Sequence, residues 1–212
     1  MTSAAAKLVR IVQRHLARFS PHADGLAAVE FAVILPLMLV TLFGMTGVTS
    51  AIAIDRKVTS IARTLSDLTS QGSSVTNTDL QNFFAIGKAM LTPYAAAQNP
   101  VSGGPLKTTT TEIYIDPASG AARVQWSSGD IPRAVGDVVT DMPGELIGKD
   151  AAKNILPDQY FILSEVSYLY APSILPGVAS VPLGESTYTR PRMSLACVLY
   201  NPVSPSTSCP KS

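Results

Sequence analysis

Gly25-Leu26-Ala27-Ala28-Val29-Glu30-Phe31 opens an apolar run that continues to Ile54 with Glu30 as its single charged side chain. A helix from Leu26 to Ile54 would be about 43 Å long at about 1.5 Å per residue, more than the roughly 30 Å of a hydrocarbon core. The run therefore reads as a membrane-spanning helix. Glu30 is its anomaly, because a carboxylate in such surroundings is costly unless something pairs with it. Farther along, Pro36 removes a backbone donor and predicts a kink. Thr41, Gly44, Thr46 and Gly47 would let neighbouring helices approach closely.

Outward from the run, charge sets the orientation. Lys7, Arg10, Arg14 and Arg18 precede it against one acid, Asp24, so the N-terminus is expected in the cytoplasm and everything after Ile54 outside. Leu8, Ile11, Val12, Leu16 and Phe19 recur at helical spacing opposite those cations, which predicts a short basic amphipathic helix ended by Ser20-Pro21. The 212 residues carry a formal net charge of +1, so composition gives nucleic-acid binding no support. Cys197 and Cys209 both fall on the exported side, where a disulfide is the first reading of a cysteine pair and two free thiols the second.

A glycine, a glutamate five residues on, an aromatic next to it, a basic leader and an apolar helix follow one another here. This order resembles the processing site of type IV prepilins, most closely that of the TadE-like pseudopilins of tight adherence pilus systems. The resemblance implies cleavage by a prepilin peptidase after Gly25, with residues 1–25 removed as a leader and Leu26 as the new N-terminus. Glu30 and Phe31 become assembly residues, the carboxylate pairing with the freed α-amino group of a neighbouring subunit or its own. Residues 26–54 become the transmembrane helix and 55–212 an exported α+β domain, in a structural subunit without cofactor. Its implied partners are the prepilin peptidase, sibling pseudopilins, the major pilin, the inner-membrane assembly platform and membrane lipid. Ser164–Pro172 and Tyr188–Arg192 also look like recurrent strand segments of that family. Three other readings of the run remain: a secretory signal cut near Ala51-Ile52-Ala53, a plain anchor with Glu30 at the headgroup boundary, and a tether for an exported enzyme or binding domain.

The fold class expected is α+β, a long N-terminal helix followed by a small domain with an antiparallel sheet, pilin-like in build. Val58, Ile61, Ala62, Leu65 and Leu68 share one face, with Asp55, Arg56, Lys57, Arg63 and Asp67 polar, so the helix should continue beyond the membrane until Gln71-Gly72-Ser73-Ser74. A second helix is predicted over Asp79–Leu91, with Thr78 and Gln81 as a capping box, followed by a loop over 93–108. At Thr109 the period changes to two. Thr111, Ile113 and Ile115 alternate against Glu112, Tyr114 and Asp116, and Ala122, Val124 and Trp126 against Arg123 and Gln125, around a turn at Pro117–Gly120; this is a hairpin. Residues 127–158 should be irregular, with at most short helices. Strands are expected next over Gln159–Tyr170 and Ser186–Leu199, the latter marked by Pro191 as an edge, bulge or break.

Catalysis has little to stand on. Both histidines, His15 and His22, precede the span, which leaves the exported part without an imidazole base. No cluster of histidines or cysteines suggests a metal, and Gly103-Gly104-Pro105 lacks the residues of a phosphate loop. Glu112, Asp116 and Glu165 would have to converge for paired-carboxylate chemistry, and each is expected at a polar strand position. Tyr168 and Tyr170 read as one sheet face, Arg190 and Arg192 as surface pairs.

Overall fold

A computed structural model describes residues 23–92, 106–171, 180–193, 196–201 and 209. The leader helix expected before residue 23 and residues 93–105 of the loop expected over 93–108 lie outside the described residues; residues 106–108 of that loop are strand instead. The chain divides into two compact units, one ending at Val48 and one beginning at Thr49.

Helix α1, Ala23–Ser70, runs as one element through both, with Pro36 inside it. In the first unit it is apolar on every side, and all its large hydrophobic residues from Leu26 to Val48 are exposed. Such a helix is long and apolar enough to cross a membrane. The same helix in the second unit carries a stripe. Ile54, Val58, Ile61, Ala62 and Leu65 are buried at spacings of three and four, while Asp55, Arg56 and Arg63 are exposed.

Helix α2, Asn77–Met90, begins two residues before the predicted Asp79. Its cap is Thr76 with Asp79, not Thr78 with Gln81. The Thr76 hydroxyl accepts the Asp79 amide, and the Asp79 carboxylate accepts the Thr76 amide at 2.9 Å. Both patterns satisfy the spacing rule, but Thr76 is the residue with the extended backbone that a cap requires.

Ahead of α2 lies a short strand β1, Ser74–Val75. The main sheet is built from β2 Leu106–Ile115, β3 Ala122–Gly129, β4 Gln159–Tyr170 and β5 Val181–Thr189, antiparallel throughout in the order β3-β2-β4-β5. Its inner face meets α1 and α2 through Leu106, Val166, Tyr168 and Tyr170. Its outer face, with Ile113, Ile115, Phe161 and Leu163, is covered by the segment carrying Val139, Met142, Leu146, Ile147 and Ile155. That segment is irregular with a short 3-10 turn at Gly144–Leu146, as expected, although β3 runs on to Gly129 and takes the first three residues of the stretch 127–158. Central β2 is therefore buried on both sides, and Glu112 and Tyr114 are core residues rather than the solvent-facing positions of a half-buried strand.

The hairpin also contains a bulge. Glu112 pairs with Trp126 but Ile113 with Val124, so Gln125 is the extra residue. The extra residue reverses the alternation, sending Val124 to the outer core and Trp126 to the inner one, although simple alternation puts both on one face. At the far end Gly129 has φ +141°, and a Cβ there would collide with the backbone of Thr108.

The last predicted strand is displaced. Strand β5 starts at Val181 and stops before Arg190-Pro191, where the Arg192 amide leaves the sheet to donate to Ser70 O at 2.9 Å. Farther on lies a strap, Ala196–Asn201, whose Leu199–Tyr200 forms β6. It pairs in parallel with β1 in a separate two-stranded sheet. A disulfide joins Cys197 to Cys209. The two edges of the main sheet differ. Residues 136–139 hydrogen-bond along Ala122 and Val124 of β3, whereas among the described residues no backbone pairs with the outer side of β5, which carries Pro182, Gly184 and Glu185.

Candidate functional site

Around Gly25 the chain is already helical, because Ala23 opens α1 and nothing in Leu26–Phe31 interrupts it. Leu26 and Glu30 are four residues apart and share a face, one turn or about 6 Å along the axis. Leu26, Glu30 and Phe31 are all exposed. Among the described residues the Glu30 carboxylate has neither a hydrogen-bond nor an ion-pair partner, so a cation brought to the turn at Leu26 would meet an unused acceptor. Gly25 is not demanded by crowding: a Cβ built there meets nothing within 4 Å. The same holds for Gly44 and Gly47, which leave shallow places on an otherwise bulky helix. The hydroxyls of Thr41 and Thr46 donate to Met38 O and Phe43 O, each at 2.9 Å, and so are satisfied within the helix.

The three acids considered for catalysis are kept apart. Glu112 faces the inner side of the sheet and is fully buried. Its Oε1 accepts the Val198 amide, and burial pushes the carboxyl up to about 8, against the pull of that amide and of the nearby Trp126 indole. Glu165 lies on the outer face, where Arg133 grips it with two bonds of 3.0 and 2.6 Å. Asp116 caps the hairpin turn, accepting from the Ala118 amide at 3.0 Å and the Ser119 hydroxyl at 2.5 Å; those bonds hold its carboxyl below the usual range. Each is explained by what it holds in place.

An outer-face cleft of about 480 Å³ contains the Arg133–Glu165 pair, with Lys107, Thr109, Ser167, Gly184 and Ser186 beside it. Its acid and base neutralise one another, and Ile131, Pro132 and Val166 add an apolar part to its lining. Among the described residues no group of three or more histidine, cysteine, aspartate or glutamate side chains is placed to hold a metal.

The remaining predicted residues fall into the scaffold. Tyr168 and Tyr170 are buried together in the inner core. Arg192 pairs with Asp67 at 2.7 Å, and Arg190 donates to Leu146 O at 3.0 Å while lying over the Phe161 ring. Sequence reasoning did not single out Glu112 as buried, nor the strap at all. The even run Thr108, Thr110, Glu112, Tyr114 beside odd isoleucines was the available signal, and it describes a strand covered on both faces as well as one covered on one.

Residues 25–65 match the family model described as TadE-like protein, which spans the exposed arm and most of the buried stripe of α1. The chain is thus similar to TadE-like proteins across its N-terminal helix, and that family suggests a structural subunit associated with a tight adherence pilus. No curated protein and no solved structure matches the chain.

Proposed function

We propose that the chain is a minor pseudopilin of a tight adherence pilus, cut after Gly25 and used in building the fibre. The observation that carries this reading is the pairing of an entirely apolar, exposed helical arm with one unpartnered carboxylate, Glu30, one turn from Leu26. The match to TadE-like proteins begins at Gly25 itself. The absence of any packing reason for that glycine adds support, since a protease that needs a residue without a side chain would explain it.

In this reading residues 1–25 form the leader, 26–54 the membrane helix and 55–212 the exported domain. The N-terminus starts in the cytoplasm and the domain lies outside the inner membrane. Cleavage frees the Leu26 amine, and its cation pairs with a Glu30 carboxylate as helices leave lipid for a bundle. Neutralising two charges in one place fixes how far each subunit slides along its neighbour. The prepilin peptidase, sibling pseudopilins, the major pilin and the assembly platform are the partners.

The test is the N-terminal residue and intact mass of the protein from its native membranes, with and without the prepilin peptidase. A peptidase-dependent start at Leu26 is the expected result; an uncut Met1 or a start at Ile54 would overturn it. Glu30→Gln separates the pilin from a mere tether. The variant should stay in the membrane at wild-type level and fail to assemble, whereas a tether would function unchanged.

A further inference from the structure

The strap Ala196–Asn201 closes over a buried acid. Val198 is fully buried with Val75, Leu80, Trp126 and Ile162, and Cys197 packs on Tyr114 and Tyr160. Two bonds fasten Val198: its amide donates to Glu112 Oε1 at 2.5 Å, and its carbonyl accepts the Trp126 indole N–H at 2.8 Å. The amides of Leu199 and Asn201 donate to Ser73 O and Val75 O at 3.1 and 2.9 Å.

Glu112 is an unusual residue to place beneath such a strap. It is 0 % exposed, and Oε2 has no hydrogen-bond partner among the described residues. A charged carboxylate there would lack most of the donors that water supplies. Among the elements packed on it, β2, β3 and β4 are held by ladders of eight to twelve residues, the strap by a ladder of two. The strap has the shortest ladder of these, and the Cys197–Cys209 disulfide and a bond from the Asn77 amide to Asn201 Oδ1 also hold it.

We propose that Glu112 and the strap form a pH-operated latch, closed while the carboxyl is neutral and loosened when it ionises, because water reaches the carboxylate by lifting Val198. Opening transfers the Oε2 proton to solvent and exchanges the Val198 bond for water. The direction follows from burial, which raises the closed-state value from 4.5 to about 8. Between those values the closed state keeps a proton that the open state has lost. The latch is therefore tightest at low pH, and its opening rises by up to about tenfold per pH unit until about pH 8, where the gain ends.

Two phenols and a disulfide lie beside the carboxyl. Tyr114 from β2 and Tyr160 from β4 are phenols, and burial pushes Tyr160 up to about 12. Cys197 and Cys209 are bonded to each other. Val75 before α2, Leu80 on α2, Trp126 on β3, Ile162 on β4 and Val198 itself carry no ionisable group, and the Asp158 carboxylate lies near Tyr160.

Hydrogen exchange at the Val198, Leu199 and Asn201 amides tests this in the full-length, oxidised protein between pH 5 and pH 8. Base catalysis alone raises exchange about tenfold per pH unit; latch opening should bring the wild type toward about 100-fold where opening and reclosing are fast. Glu112→Gln keeps the shape and the acceptor but cannot ionise, and should return the slope to about tenfold. Equal slopes in the two proteins would overturn the proposal. Should the variant not fold, the wild type decides alone: a Glu112 carboxyl resonance that titrates while the strap exchanges with the tenfold slope overturns it equally.

Discussion

Residues 26–48 and 54–65 belong to one helix, yet their side chains are satisfied by different means. Leu37, Val40 and Met45 point in different directions and all are exposed; Ile54, Val58, Ile61 and Leu65 point in one direction and all are buried. Backbone conformation is the same in both, so it says nothing about environment. The distribution of apolar residues around the helix does. Where it is uniform, the helix is apolar enough to cross a membrane; where it is a stripe, the chain supplies its own cover.

That contrast can be broken first at Leu65. Leu65→Ala should cost the α+β domain about 2–5 kcal/mol, read from urea or thermal unfolding in detergent, while Leu39→Ala in the arm should leave the same midpoint within about 0.5 kcal/mol. Similar losses at both positions would erase the distinction. The reciprocal change is Val40→Arg, expected to weaken membrane insertion by roughly 3 kcal/mol with the unfolding of the domain untouched. Replacing Cys197 and Cys209 together by serine should cost the domain about 2–3 kcal/mol and leave insertion as it was. A smaller loss, about 1 kcal/mol, is expected for Thr76→Ala, which removes the cap of α2. Least affected should be Arg192→Ala, at no more than about 1 kcal/mol, because its bridge to Asp67 is solvent-exposed on both sides.

The helices and strands were legible where one period ran unopposed. Strand β4 lies on its predicted bounds, Gln159–Tyr170, and the hairpin turn falls at Pro117–Gly120, because alternation and turn residues agreed there. At α2 the sequence offered two threonines with suitable partners three residues on, and only backbone geometry chooses Thr76. Gln125 shows a deeper limit. A bulge inserts one residue without any composition of its own, and everything beyond it changes face. The strap was hidden for another reason: a two-residue strand has too few positions to show a period, and its partner β1 lies far earlier in the chain. At the candidate site, Gly25, Leu26, Glu30 and Phe31 were readable as a spacing, and the structure adds that Leu26 and Glu30 share an exposed face. The character of Glu112 depended on what covers β2, which no local pattern records.

The unequal edges of the main sheet decide how such domains could aggregate. An incoming strand at β3 would have to strip off the bonds that residues 136–139 make to Ala122 and Val124, while at β5 it would have none to displace among the described residues. Among the described residues sheet extension is thus one-sided, and two copies joined through β5 would consume both edges left open there. On the described residues alone the pair has no open edge left in this sheet, which favours a dimer over a ribbon.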